Sequence, residues 1–351
     1  MNGDLTYQEI LSQPDAWADA LRAFAARQAD VRQAWAEVKA RRVVFIGCGS
    51  THYLSLTAAA LFRGLTGVPA EGRPSSELLF FFDEAVTDPE DTLLVCVSRS
   101  GTTTETLVAV DHFRRRGGRA VWTVTCYPDS PLAAKSDLVL PCVAAQEQSV
   151  AQTRSFTSML LLCQALAAAL GGAEWRVLER LPDLGRALIA ATEPWARTFG
   201  RRLEDERVYF LGSGPQYGLA AEAMLKMTEM SLTQAQAFHF MEFRHGPMSM
   251  VDSSTLICGL LSREATRFEL EVLHEMEARE AFIVALNPTG SNLGDTRAID
   301  LPDDLPPWAQ VVLYLPPLQL LGTYRARAKG LDPDNPRGLS QVILLDPATL
   351  P

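Results

Sequence analysis

Among its six cysteines (Cys48, Cys96, Cys126, Cys142, Cys163 and Cys258) the chain has no CxxC pair, it carries no excess of positive charge, and no apolar run approaches the ~20 residues of a membrane span. Each absence removes a class of protein. Without paired spacing the cysteines read as small core residues of a reducing cytoplasm rather than a disulfide frame or zinc site. A net charge of −10 and a pI near 5.1 disfavour binding to nucleic acid or a membrane surface, since affinity for a phosphate backbone comes from clustered Lys and Arg. The opening residues Met1-Asn2-Gly3-Asp4 lack a secretory pattern. What remains is 351 residues with 47% hydrophobic content, enough for two domains of ordinary size or one duplicated double-wound unit.

The densest local signal runs from Val95 to Glu105, Val-Cys-Val-Ser-Arg-Ser-Gly-Thr-Thr-Thr-Glu. An apolar strand ends at Val97, the chain turns through Ser98, Arg99, Ser100 and Gly101, and a helix opens near Thr102 or Thr103. A helix N-terminus presents unpaired N–H groups and a positive dipole end, which suits a phosphate. An ordinary turn capped by Ser100 or Thr102 is the competing reading. Four hydroxyl side chains and an arginine within six positions exceed what a cap requires, so the loop is read as a phosphate cradle.

Strands alternate with helices along the chain. Helical spacing covers Ala16–Lys39, and Val43–Ile46 is a short β-branched run that ends in Gly47-Cys48-Gly49-Ser50 before a helix from Thr51 to Leu65. Thr92–Val97, Ala120–Thr125 and Leu138–Pro141 read as strands, and Thr103–Arg116 and Thr153–Leu170 as helices. A polar stretch from Gly171 to Pro182 marks a boundary, after which the pattern restarts. Phe45-Ile46-Gly47-Cys48-Gly49 aligns with Phe210-Leu211-Gly212-Ser213-Gly214 at an offset of 165, and Cys96-Val97-Ser98-Arg99 with Leu260-Leu261-Ser262-Arg263 at 164. The chain therefore reads as an internal duplication. Only the first copy keeps the cradle, because Glu264 replaces a small residue in the second and is expected to repel phosphate. The fold class is α/β, two copies of a mostly parallel sheet with helices on both faces.

A dinucleotide reading of Gly47-x-Gly49 has Glu71 at a suitable distance for a ribose, but His52 stands where the third glycine belongs. No nicotinamide or flavin is expected. In the second half, Glu222, Lys226 and Glu229 share one face of the helix Gln216–Met230, either as an exposed ion-pair stripe or as catalytic groups. The run Phe238-His239-Phe240-Met241-Glu242-Phe243-Arg244-His245-Gly246-Pro247 mixes ionisable residues with aromatics. A histidine there can be structural or can exchange protons near neutral pH.

Taken together, these residues resemble the double sugar-isomerase (SIS) domain family, and closely the isomerase half of glucosamine-6-phosphate synthase with its stand-alone phosphosugar isomerase, deaminase and deglycase relatives. The resemblance covers about Arg42 to Leu345. It rests on Gly-Cys-Gly-Ser-Thr at 47–51, Ser-Arg-Ser-Gly-Thr-Thr at 98–103, Ser-Val-Ala-Gln-Thr-Arg-Ser-Phe-Thr at 149–157, Glu222 to Glu229, Glu-Phe-Arg-His-Gly-Pro at 242–247 and Asp-Asn-Pro-Arg-Gly-Leu-Ser at 334–340. It implies a helical segment 1–41, a first SIS domain 42–180 with the phosphosugar loop, a second SIS domain 181–333 with the catalytic Glu and His, and a tail 334–351, each domain a three-layer α/β/α sandwich.

The family pattern puts the sugar phosphate on Ser98, Arg99, Ser100 and Thr103, with Gly49, Ser50, Thr51, Val150, Gln152 and Ser340 lining the rest. Glu229 matches the base that moves a proton between adjacent carbons, with Glu222 and Lys226 beside it. His245 matches the residue linked to ring opening, supplied in relatives by the neighbouring subunit, so the resemblance implies a homodimer. No metal or redox cofactor is implied.

Two departures bear on the reaction. The chain reaches its first SIS strand by Val43 and does not start with the catalytic cysteine of a glutamine-hydrolysing domain, and Gln341 stands where the synthase has a Schiff-base lysine. An amide cannot form that imine, and Gln152 replaces a pocket serine. The expectation is a cytoplasmic isomerase or deaminase of a phosphorylated hexose or amino sugar, not a glutamine-dependent synthase. A non-catalytic SIS module that senses a sugar phosphate is the alternative.

Overall fold

The computed structural model describes residues 4–346, 349 and 350. It divides into two compact units. The first comprises Ser12–Glu147, Arg154–Pro182 and Ser340–Pro351; the second comprises Met1–Leu11, Gln148–Thr153 and Asp183–Leu339. The units do not follow chain order. The helix Asp4–Leu11 goes to the second unit and the helix Gln13–Val38 to the first, and the tail divides between Leu339 and Ser340.

The first unit holds a five-stranded parallel sheet of β1 (Arg42–Gly47), β2 (Ala70–Pro74), β3 (Thr92–Ser98), β4 (Ala120–Thr125) and β5 (Leu138–Pro141), in the order β2-β1-β3-β4-β5. All seven residues of β3 are buried, as a strand covered on both faces requires. On one face Phe45 meets Phe62 of the helix Ser50–Thr66 edge-on at 5.8 Å. On the other, Val44, Ile46, Leu94 and Cys96 pack with Ala109, Val110 and Phe113 of the helix Thr104–Arg115. The helix Arg154–Gly171 lies deeper still, with Ser155 through Ala169 all buried. Against expectation it is long and apolar enough to cross a membrane by length and composition, but 83% of it is buried within the protein. Trp17 Nε1 donates to Thr157 Oγ1 at 2.9 Å and ties the helix Gln13–Val38 to it.

The second unit repeats the plan with β6 (Arg207–Gly212), β7 (Gln234–Phe238), β8 (Thr255–Leu260), β9 (Phe282–Asn287) and β10 (Ala298–Asp300), all parallel, in the order β10-β9-β8-β6-β7. Read from β7, this is the strand order of the first sheet, so the duplication is one of topology as well as sequence. The glycine pairs carry the same burdens in both copies. A Cβ on Gly47 would come within 2.5 Å of the Thr51 backbone, and one on Gly212 within 2.5 Å of Gln216 O, while Gly49 and Gly214 sit at φ +56° and +58°. The first glycine lets the helix approach the strand closely; the second adopts a backbone that other residues avoid.

In each sheet the chain leaves its first strand in one direction and later returns to the other side. Loops after β1 and β3, and after β6 and β8, thus flank a reversal point, where ligands of open α/β sheets bind beyond the carboxyl ends of the strands.

Candidate active site

The loop after β3 is held from behind. Arg99 O accepts from Cys126 N–H and Thr125 Oγ1, both at 3.2 Å, and Gly101 O accepts from Leu132 N–H at 3.1 Å. Gly101 stands at φ +65°, and a Cβ there would lie 2.0 Å from Ser130 Oγ. Ser98 Oγ accepts from Gly101 N–H at 3.1 Å, and Ser100 Oγ from Thr102 N–H at 3.2 Å and Thr102 Oγ1 at 3.0 Å. Thr103 is the N-cap of the twelve-residue helix Thr104–Arg115, yet its side chain makes no capping bond. The Thr103 side chain therefore does not cap this helix. With the first helical bonds running from Thr106 and Leu107 N–H to Thr103 O, the amides just ahead of them have no acceptor among the described residues and lie at the positive end of a helix dipole. The first unit thus offers these amides and the Thr103 hydroxyl at a sheet reversal point.

The remaining residues of the expected site make bonds within the protein. Thr51 Oγ1 accepts from Cys48 N–H and donates to Cys48 O, each at 2.9 Å, so its hydroxyl closes the turn that begins the helix. Gly49 is the N-cap of that helix and Ser50 its buried first residue. Arg99 is buried; its guanidinium lies 3.4 Å from Glu147 Oε2 and donates to Gln341 O at 2.9 Å. Glu147 in turn accepts from Ser155 N–H and Oγ. Arg99 therefore ties the loop to the tail, and Glu147, which carries no local motif, is the partner that sequence reasoning missed. Ser340 is exposed, with its hydroxyl on Val342 O.

The second copy of the loop is occupied from within. Ser262 N–H donates to Glu269 Oε2 at 2.6 Å and Ser262 Oγ to Glu269 Oε1 at 3.0 Å, while Ala265 N–H bonds Ser262 Oγ at 3.1 Å as Gly101 bonds Ser98. Glu264, the residue expected to disable this loop, is exposed. The carboxylate that fills it is Glu269, because a side chain one helical turn into Thr266–Glu277 reaches back to the loop and Glu264 points into solvent. Burial raises the Glu269 carboxyl to about 7, against the lowering effect of the Ser262 bonds.

The helix Pro215–Ser231 of the second unit carries Glu222, Lys226 and Glu229. The exposed-stripe reading does not hold. Their side chains are 0%, 1% and 13% exposed. Lys226 Nζ lies 3.2 Å from Glu222 Oε1 and donates to Glu229 Oε1. Burial opposes the charge on Lys226, but the two carboxylates outweigh it and hold the ammonium above the ordinary lysine value. Glu229 Oε2 has no partner among the described residues. The segment with Val150 and Gln152 lies beside this turn: Ala151 packs against Met230, and Val150 N–H donates to Asp334 O at 2.9 Å. Gln152 itself is half-buried.

His245 is exposed, its backbone N–H on Glu242 O at 3.0 Å. His239, in the same run, stacks on Tyr217 with centroids 4.0 Å apart and planes 12° off parallel. Among the described residues no group of three His, Cys, Asp or Glu side chains is placed to hold a metal ion.

Two α/β sheets of identical strand order, with the loop after the third strand bonded by the protein's own carboxylate only in the second copy, define a duplicated doubly wound α/β fold. The profile described as "SIS domain" matches residues 38–169 and 203–296. The chain belongs to the SIS domain family. It is 33% identical over 326 residues to the glutamine–fructose-6-phosphate aminotransferase [isomerizing] of Pseudomonas syringae pv. tomato, covering 88% of this chain and 52% of that one. With the protein of the same name from Pyrobaculum aerophilum it shares 30% over 351 residues, 97% of this chain and 57% of the relative. The chain spans little more than half the length of these relatives. Among solved structures, a glucosamine-6-phosphate deaminase of Thermotoga maritima superposes with a TM-score of 0.82 at 26% identity, covering 97% of this chain and all of that one. A tagatose-6-phosphate ketose/aldose isomerase of Escherichia coli gives 0.87 at 24% identity over 95% of both chains, a likeness of fold.

Proposed function

We propose that this protein is an isomerase or deaminase of a hexose phosphate or amino-sugar phosphate, working by proton transfer through an enediol or its amino counterpart. The observation that carries the reading is Glu229: a mostly buried carboxylate, one oxygen held by Lys226 and the other without a hydrogen bond among the described residues, on the chain that also presents the hydroxyl-rich loop at Ser98–Thr103. The reading assigns phosphate anchoring to Ser98, Ser100, Thr103 and the amides that open the helix Thr104–Arg115, and proton transfer to Glu229.

In an aldose phosphate the C2–H bond breaks toward Glu229 as the C1 carbonyl oxygen takes up a proton. The resulting enediol regains a carbonyl at C2 when Glu229 returns its proton to C1 and the C2 hydroxyl loses one. With an amino group at C2 the same transfer leaves a ketimine, and water then releases ammonia and the ketose. A carboxylate serves both directions because it takes and returns the proton on one face. Ring opening falls to His245. Its exposure supports a homodimer in which the partner subunit uses it. The relatives named aminotransferase and deaminase support substrates with or without nitrogen, and Gln341 argues against an imine between the tail and the sugar. The cysteine pattern supports a cytoplasmic location.

Incubating the purified protein with glucosamine 6-phosphate, with fructose 6-phosphate plus ammonia, and with fructosamine 6-phosphate, while following ammonia and ketose, tests the reading. Conversion of any one supports it. Binding of these compounds by thermal shift without turnover would replace it with a sugar-phosphate sensor.

A further inference from the structure

At the amino ends of β6 and β7, opposite the carboxyl ends where ligands of such sheets bind, the second unit contains a cavity of about 320 Å³ lined by Asp205, Glu206, Leu232, Thr233, Arg325 and Lys329 among others. Arg325 is 1% exposed. It donates to Thr233 Oγ1 at 3.0 Å, to Arg202 O at 2.6 Å and to Asp205 O, and all three acceptors are neutral. Lys329, at the rim, donates to the same Thr233 Oγ1 at 2.7 Å and toward Leu232 O at 3.4 Å. Neither cation forms an ion pair among the described residues. The carboxylate of Asp205 is taken bidentately by Arg202, at 3.0 and 3.1 Å, and Glu206 is exposed.

Two like charges thus converge on one hydroxyl at a concave surface. Burial, and then the neighbouring Arg325, depress Lys329 below the ordinary lysine value, and burial lowers Arg325 as well, against the raising effect of Asp205 and Glu204. A guanidinium and an ammonium sharing a neutral acceptor lack the charged acceptor that would make their hydrogen bonds strongest. We propose that this cavity is a second anion site, and that its ligand is a phosphate group, free or on a small metabolite.

The position gives the site a consequence. Leu232 is the C-cap of the helix that carries Glu229; it sits at φ 48°, and its N–H bonds Thr228 O at 3.0 Å. Cations at a helix C-terminus stabilise its dipole. An anion that draws Lys329 away from Leu232 O and Thr233 removes two restraints from the last turn of that helix, one turn from Glu229. Phosphate bound there is thereby linked to the setting of the proposed base. The consequence rests on the proposed function; the binding does not.

The test uses inorganic phosphate and calorimetric titration of the full chain carrying Ser100→Ala and Thr103→Ala, which weakens the loop after β3 as a competing site. Phosphate is expected to bind this variant at one site per chain, and adding Lys329→Met is expected to weaken that binding by about tenfold or more, the worth of one charge-assisted bond. Acetate serves as the second arm and is expected to bind at least about tenfold more weakly than phosphate, having one charge for the two cations. No phosphate binding in the double variant, or equal binding after Lys329→Met, would overturn the site. Because turnover is not read, failure of the isomerase reading leaves this result unaffected.

Discussion

Replacing Lys226 by methionine removes a cation of similar length from between two carboxylates, and the structure sets the scale of the loss. Nζ lies 3.2 Å from Glu222 Oε1, with exposures of 1% and 0%. Coulomb's law at that distance, with an effective dielectric near 20, gives about 5 kcal/mol before desolvation, and breaking buried ion pairs generally costs about 3–5 kcal/mol. Against a typical domain stability of about 5–15 kcal/mol that is a large fraction. The variant is therefore expected to lose about 3–5 kcal/mol at pH 7 in urea unfolding, and to recover part of it on acidification, as Glu222 gains the proton that replaces the lost cation.

The wild type should behave oppositely at high pH. Lys226 is raised above 10.5, so its contribution is fully present below that value and lost as pH rises through the folded value. Adding Glu222→Gln to Lys226→Met should restore most of the stability, since it removes the stranded charge. A loss below about 1 kcal/mol for Lys226→Met, or a double variant no more stable than the single, would refute the claim that this triad is a buried, mutually dependent unit.

Two further outcomes follow from the loop after β3 and its copy. Glu269, raised from 4.5 to about 7, contributes stability that is fully present below pH 4.5 and lost as pH rises through 7, about 3 kcal/mol in all. Glu269→Gln should flatten the melting temperature between pH 5 and 8, and an unchanged slope would assign the titration elsewhere. Ser100→Ala with Thr103→Ala should weaken glucosamine 6-phosphate about 10- to 100-fold while leaving the melting temperature nearly unchanged. Equal affinity would remove the loop from phosphate binding.

Much of the fold could be read from the chain because the central strands and the helices beside them are strongly patterned. Ala120–Thr125 and Leu138–Pro141 are strands with the expected bounds, and Val43–Ile46 and Thr92–Val97 each extend by a residue or two. β2, Ala-Glu-Gly-Arg-Pro, was not legible: it is an edge strand, polar and Gly/Pro-bearing, and only its pairing with β1 makes it a strand. Glu71, weighed as a ribose ligand, sits on it and pairs with Arg73 at 2.6 Å.

The site divides along the same line. Spacing put Glu222, Lys226 and Glu229 on one face, but burial, which decides whether they are an ion-pair stripe or a relay, depends on what covers that face. The second loop was recognised as altered at Glu264, while the residue that fills it, Glu269, lies five positions further on. Sequence alignment at the 164-residue offset sets Glu269 opposite Glu105, whose Oε2 is buried without a hydrogen bond. The same residue type thus bonds the loop in one copy and not in the other, a difference that composition does not carry.

The central claim is that Glu229 moves the proton. The most direct measurement is turnover and solvent-deuterium incorporation with glucosamine 6-phosphate or fructose 6-phosphate in heavy water, comparing the wild type with Glu229→Gln. The account predicts labelled sugar from the wild type, and from Glu229→Gln a rate lower by about 10²- to 10⁴-fold with binding of the sugar phosphate unchanged within about twofold. Full turnover and labelling by Glu229→Gln would contradict it.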